Sequence, residues 1–556
     1  MLLWNARPAP AAPAAVPAMA RQAASPARRA ARSARSWPAR VRWASCLTLG
    51  LLLTACATPP GRQGNADGYP LLANTPTAQE RLLNRVTWGA TPSSARQIAV
   101  MGTAAFLDDQ LRPDPHAPLP DAVQAQIDAM TLTRQPVAAL AADMEDRQKT
   151  LRTLTDDAEK KAAQTAWQQE MNRLQREAAA RSLLRDLYSP RQLQEQMTAF
   201  WVNHFNVYAG KRDLRVLVGD FEDRAIRPHA LGHFRDLLRA TARHPAMLRY
   251  LDNDQNANRR INENFARELM ELHTLGVGGG YTQRDVQELA RVLTGLGVRT
   301  AGDPPALPPR QRDAYVRDGL FEFNPARHDN GDKVLLGAPL TRKGLAEIDE
   351  ALDRLSRSPA TARHISQRLA MAFVADDPPA ALVDAMAATF TRTEGDIGAV
   401  MRTLFQSPAF AASLEGPGKF KDPLHYVVSA VRLAYGDRPV LNVAPMQNWL
   451  GRLGQPLYGH ETPDGYPLTA DAWSGSGQMT TRFEIARTVG YSSAGLFRGD
   501  APDASPAPAF PQLANEVYYQ AMRDRLAAGT RAALEQATSQ QEWNTLLLAS
   551  PEFMAR

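Results

Sequence analysis

Residues 262–297, NENFARELMELHTLGVGGGYTQRDVQELARVLTGLG, constrain the fold more than any other stretch, because two helical patterns flank a glycine-rich joint. On a 3.6-residue wheel Phe265, Ala266, Leu269, Met270 and Leu272 share one arc, while Glu263, Asn264, Arg267, Glu268 and Glu271 share the other. His273 falls within the apolar arc. The first helix is predicted to close at Gly276, where glycine takes up the left-handed conformation without a Cβ clash. Thr282 and Asp285 have the spacing of a capping box, and Val286, Leu289, Ala290 and Leu293 make a second apolar stripe. The stretch reads as an αα-hairpin.

Amphipathic segments of this kind recur along the chain, so the expected fold is all-α with orthogonal and antiparallel helix packing. One interruption is predicted. Residues 302–319 carry Pro304, Pro305, Pro308 and Pro309 and read as extended loop, after which residues 321–323 and 334–336 are expected to pair as a short β-hairpin around His328-Asp329-Asn330-Gly331. Residues 137–189 contain neither proline nor glycine. A break at Thr155-Asp156-Asp157 would fold them into two antiparallel helices, a charged arm with Trp167, Met171, Leu174 and Ala178 on its seam. A solvated arm and a partner-binding coiled coil are both open readings. The Gly/Pro/aromatic loop at residues 454–477 is long enough to be a candidate for function.

Charge and targeting separate two parts of the chain. The net charge of +6 suggests an anionic partner, but residues 1–55 hold eight arginines and no acidic residue, and without them about −2 remains. That leaves no electrostatic case for nucleic acid. Arg40 and Arg42 precede an apolar run at residues 46–55, too short to span a bilayer and suited to the core of a signal peptide. Leu53-Thr54-Ala55-Cys56 resembles a bacterial lipobox, which makes Cys56 the expected lipid-attachment residue, palmitate included, and the mature N-terminus. Ala57 rather than aspartate follows it, which by resemblance to lipoprotein sorting favours the outer membrane of a Gram-negative envelope. The expected organisation is a disordered extension plus signal at 1–55, a flexible tether at 56–78, and one large helical domain at 79–556. Cys46 and Cys56 are the two cysteines, one in the signal and one lipidated, so core packing alone must hold the mature domain.

No phosphate-binding loop, dinucleotide fingerprint, Gly-x-Ser-x-Gly elbow, His-Glu-x-x-His helix or paired-cysteine metal motif occurs. The candidate site residues are polar groups in or beside apolar contexts: His204, Glu268, His273, His328 and Asp329. Glu268 and His273 lie about 140° apart on a helical wheel, so they do not form a ligand pair on one helix. Convergence of His204 and His273 on His328 and Asp329 would offer a divalent metal site or a proton relay; otherwise each histidine is satisfied separately in the core. No cofactor is predicted.

Several stretches carry a family resemblance: RLLNRVTWG at 81–89, FWVNHF at 200–205, NFARELMELHTLGVGGG at 264–280, ARVLTG at 290–295, RHDNGDK at 327–333, GQPLY at 454–458, DGYP at 464–467, and Trp473. The chain resembles the bacterial domain of unknown function 1800 (DUF1800) family from about residue 79 to 553. Leu296 and Tyr466 stand where that family often has tryptophan. The resemblance implies a large, mainly helical exported domain with no settled activity, frequently encoded beside exported proteins similar to the alkaline-phosphatase and sulfatase superfamily. The expected function is binding or assembly in the envelope, membrane-held through the lipid and working with an exported partner. The alternative is an exported hydrolase-type enzyme using the five candidate residues or a metal.

Overall fold

Helix starts throughout the chain are marked chemically, and those marks fix where elements begin and end. The computed structural model of the protein describes residues 68–114, 116–492, 494–498 and 510–556. The signal-like segment, Cys56 and the first part of the tether lie outside them. The described residues are mainly helical, with only a few short strands. Among them no helix is long and apolar enough to cross a membrane. The Ser-Pro pairs at 407–408 and 550–551 read as helix stops but do more. Ser407 and Ser550 accept the N–H of Phe410 and Phe553, with proline at the first helical position, so each pair ends one helix and starts the next.

The central hairpin forms with its boundaries moved inward. Its helices are Asn264–Glu271 and Gln283–Val292, the second opened by a capping box in which Thr282 and Asp285 bond reciprocally. The first ends a turn before Gly276 because its last carbonyls are taken by wider steps. Glu268 accepts from His273 N, Leu269 from the Thr274 hydroxyl and Met270 from Leu275 N. The chain unwinds there and carries His273 into the core. Gly276 has φ +83°, and a Cβ on it would stand 2.8 Å from the ring of His364, so glycine is required beside the histidines.

The predicted pairing of residues 321–323 with 334–336 does not occur. Phe321–Phe323 is instead the centre of an antiparallel sheet between Leu296–Val298 and Val316–Asp318. Val334–Leu335 pairs with Ala338–Pro339 in a separate tight hairpin. The turn chemistry explains the difference. Leu336 and Gly337 both have positive φ, as a two-residue hairpin turn demands, while Asn330-Gly331 is tied down by Asp329, which accepts from Gly331 N and pairs with Arg291. Phe321 and Phe323 are both buried, as befits a central strand.

The proline-free run forms helices Val137–Thr153 and Asp157–Tyr188, broken where Asp156 caps Glu159 N. Trp167 Nε1 donates to Met144 O at 3.2 Å, and Met171, Leu174 and Ala178 are buried, so the root of the arm belongs to the core while residues 145–166 are largely exposed. Arg85, fully buried in the Pro76–Val86 helix, donates to the carbonyls of Phe373 and Arg556 and to Ser413, stitching distant parts of the chain together. A buried guanidinium survives there because carbonyl oxygens replace water at its donors.

Candidate functional site

The Gln192–His204 helix divides its side chains between two faces. Met197, Trp201 and His204 point into the core, with Trp201 Nε1 donating to Ala230 O at 2.9 Å. Gln196, Ala199, Phe200 and Asn203, at helical spacing, line a cavity of about 100 Å³. Its opposite wall is the loop that begins at Gly454. Asn203 pairs with that loop as a strand would: Nδ2 donates to Tyr466 O at 2.9 Å and Oδ1 accepts from Tyr466 N at 2.7 Å. Gly465 has φ +73°, and a Cβ there would lie 2.2 Å from the Asn203 carbonyl oxygen, so no other residue fits beneath the helix. Asn206 adds two bonds, to His460 O and Thr462 O.

The third wall is the start of the Pro423–Tyr435 helix. Asp422 is its N-cap and accepts from His425 N through one oxygen and from His425 Nδ1 through the other, both at 2.9 Å. Burial opposes the charge on Asp422, but the His425 ring, its hydrogen bonds and Arg556 outweigh burial and hold the carboxyl well below its ordinary range. Burial, with the positive charge of Arg556, lowers His425 to about 4. At neutral pH the pair is therefore a carboxylate and a neutral imidazole. A carboxylate only accepts, so Nδ1 carries the hydrogen and Nε2 the lone pair. That Nε2 has no hydrogen-bond partner, and neither do Gln196 Nε2 and Arg556 Nε, all three on residues that line the cavity. Trp88 packs its ring 4.5 Å from the imidazole and fixes its plane.

Tyr458 and Glu222 complete the polar lining. The Tyr458 hydroxyl donates to Glu222 Oε2 at 2.6 Å, and burial pushes the Glu222 carboxyl up against the pull of that bond. Tyr458 has φ +58°, an uncommon conformation for a bulky residue, held by Ala209 N donating to its carbonyl at 2.9 Å. Phe200, Phe373, Leu424, Leu457 and Tyr466 supply the apolar remainder of the wall. Chemically, an unprotonated ring nitrogen and two unpartnered donors, each atom itself buried, belong to side chains that line one aromatic-walled space. Such a site can hold a small molecule carrying both a donor and an acceptor, or take a proton from one.

The candidates read from the sequence fall into separate places. His204 and His273 do come together, with ring centroids 6.0 Å apart, and His364 joins them at 6.0 Å from His204. His204 Nε2 bonds the His273 carbonyl and His364 Nε2 the Leu272 carbonyl, both at 3.1 Å. His273 is 0% exposed, and neither ring nitrogen has a partner. Burial, reinforced by Arg368, lowers all three, His273 to about 3, so they are neutral at pH 7. His328 belongs to a different assembly. Its Nε2 meets Glu347 at 3.1 Å, Lys333 Nζ meets the same carboxylate oxygen at 2.8 Å, and all three side chains are fully buried. Asp329 pairs with Arg291. Glu268 is half-buried, its carboxyl raised by burial and by Glu271, and its side chain bonds none of the histidines. Among the described residues no group of three or more His, Cys, Asp or Glu side chains is arranged to hold a metal ion.

The model of a protein family of unknown function, DUF1800, matches residues 81–555. The chain belongs to the DUF1800 family. No curated protein and no solved structure matches it. In this DUF1800 protein several stretches that carried the resemblance build the cavity: 81–89 brings Trp88, 200–205 brings Phe200 and Asn203, 454–458 brings Tyr458, and 464–467 brings Gly465 and Tyr466. Sequence reasoning missed His425, Asp422, Glu222, Gln196 and His364. The Asp-Pro-Leu-His run at 422–425 did carry a signal: a capping residue, proline at the next position, and a titratable side chain where the cap bond lands.

Two outcomes are expected of the buried groups. Histidines with lowered folded pKa values leave the unfolded chain to take up protons first, so stability is complete above the ordinary histidine range and falls as pH drops below it. The slope is about 1.4 kcal/mol per pH unit for each of His204 and His273. Tm should fall between about pH 7 and pH 5, less steeply in His273→Phe; an unchanged slope would contradict the account. Glu347→Gln removes the carboxylate between His328 and Lys333 and should cost about 2 to 4 kcal/mol in denaturant unfolding, because the buried ammonium keeps only Asp329, at 3.8 Å, and two backbone carbonyls in place of its nearest carboxylate. A cost under about 1 kcal/mol would show that the triad is not held as described.

Proposed function

We propose that this DUF1800 protein is an exported envelope lipoprotein, anchored through Cys56 in the outer membrane, whose work is binding in concert with an exported partner. The observation that carries the binding reading is the cavity, where His425 Nε2, Gln196 Nε2 and Arg556 Nε lack partners inside a largely apolar wall. Buried polar atoms without partners are costly, and a ligand that satisfies them recovers that cost on binding. The volume is of the order that accepts a small ring. A compact aromatic or aliphatic group with one hydroxyl, free or displayed on a partner, fits both the walls and the acceptor nitrogen.

A second reading is an exported hydrolase-type enzyme. It is favoured by Asp422 orienting His425, the relation in which a carboxylate fixes the tautomer of a general base. Against it, no nucleophilic side chain is bonded to His425 Nε2.

Phenol and benzene separate the possibilities. Wild-type protein should bind phenol more tightly than benzene by roughly fivefold, the worth of one hydrogen bond, and His425→Leu should abolish the preference. Absence of binding, or the same preference in the variant, would refute the cavity reading. Turnover of an ester that disappears in His425→Leu would favour the enzyme. For the anchor, intact mass of the purified protein should show a diacyl- or triacyl-modified Cys56 as the first residue; an unmodified Cys56 would remove the lipoprotein assignment.

A further inference from the structure

A second recess, a groove of about 510 Å³, opens at the root of the helical arm. The two spaces share walls. On the Asp157–Tyr188 helix Ser182 faces the cavity while Arg181 and Arg185 face the groove, and on the π-helix Phe221–Ile226 Glu222 faces the cavity while Asp223 faces the groove.

The groove is lined by six arginines, and their pairing leaves charge over. Arg181 and Arg185 share the single carboxylate of Asp223. Arg224 pairs with Asp220, which also receives His244, and Arg227 pairs with Glu195. Arg215 meets only the neutral Gln168 amide, at 3.0 Å, and Arg134 only the carbonyl of Asp128, at 3.1 Å; neither has a carboxylate within ion-pair distance among the described residues. Glu222 stands behind Asp223 with its carboxyl raised by burial. Against Asp220, Asp223, Glu195 and Glu222, six guanidinium groups leave an excess of two positive charges, in a chain whose residues after 55 sum to about −2. The excess is thus a property of this groove. Between the arginines lie the accessible apolar side chains of Leu132, Pro136 and Val137, over the buried Leu140, Leu174 and Val216.

We propose that this groove binds a peptide segment of a protein partner in which acidic and apolar side chains alternate. Arg134 and Arg215, without carboxylates, and Arg181 and Arg185, which share one, sit on three separate elements, the Thr131–Arg134 helix, the Leu214–Val216 turn and the Asp157–Tyr188 helix. Acidic groups spaced along a chain reach all of them, whereas one phosphate or one lipid headgroup reaches a single element and leaves Leu132, Pro136 and Val137 uncovered. Guanidinium groups also favour carboxylates through paired N–H donors, and clusters of arginine are a recurrent means of reading acidic motifs. This inference stands on the groove alone and does not depend on the cavity reading.

The test uses the full mature chain and a short fluorescein-labelled peptide of alternating Glu and Leu, read by anisotropy. Arg134 is exposed and Arg215 half-buried, and neither holds an ion pair, so Arg134→Glu/Arg215→Glu should fold; Arg134→Gln/Arg215→Gln serves if it does not. Arg487→Glu/Arg531→Glu, exposed on the Ser476–Tyr491 and Ala528–Gln536 helices, is the control of like charge change. Wild type and the control should bind the peptide alike, the double variant at least tenfold more weakly, and added salt should weaken wild type. A Lys/Leu peptide should not bind. Equal loss in the control, or no binding by wild type up to about 1 mM, overturns the proposal. So does binding of inorganic pyrophosphate or of phosphatidylglycerol vesicles that the double variant loses while the Glu/Leu peptide fails to bind, since the groove would then serve a phosphate or a membrane surface.

Discussion

The side-chain amide of Asn203 is the interaction on which the candidate site depends. It treats the backbone of Tyr466 as a neighbouring strand, donating to its carbonyl and accepting from its N–H, and Gly465 lets the loop come close enough for both bonds to form. The same helix sends Trp201 and His204 the other way, into the core. The loop is thereby held against an element that cannot shift without disturbing the packing, and a stretch with little regular structure becomes one wall of a defined cavity. Within that space Asp422 does for His425 what Asn203 does for the loop. It removes a choice, here which ring nitrogen carries the hydrogen.

Buried polar groups in this protein follow two regimes. His328 and Lys333 converge on one oxygen of Glu347, and Arg85 is held by backbone carbonyls and Ser413, so these groups tie the structure together, with Glu347 Oε1 the one charged-end atom of the triad left without a partner. His425, Gln196 and Arg556 keep unpartnered atoms in the lining of a cavity. His273 is the intermediate case, unpartnered yet 0% exposed, and its ring stays neutral because burial forbids the charge. Membership of a cavity wall, not the presence of histidine, is what distinguishes a candidate site from core here. The π-helix and the root of the arm then set the cavity beside a cationic groove, so the two spaces share walls without sharing residues.

Much of the fold was legible because its signals are local. The capping box at Thr282, the break at Asp156 and the apolar stripes of the central hairpin rest on spacings of three or four residues, and the structure shows all of them. The sheet was not legible, because Phe321–Phe323 finds its partners at Leu296–Val298 and Val316–Asp318 while the plausible Asn330-Gly331 turn is held by Asp329. The inward direction of His204 and His273 could be read from a wheel; their separation from His328 could not, since it depends on Glu347 arriving from another helix. His425 was overlooked for the opposite reason. Its local pattern was plain, but its significance comes from the loop and the helix that close over it.

Nitrogen-15 NMR of the imidazole rings in protein labelled at histidine tests the central claim most directly, because it reports which nitrogen of His425 carries the hydrogen. At neutral pH the account predicts a neutral ring with Nδ1 protonated and Nε2 in the lone-pair state, assigned by its loss in His425→Leu, and a change at Nε2 when phenol is added. A ring found as imidazolium, or protonated at Nε2, would contradict it.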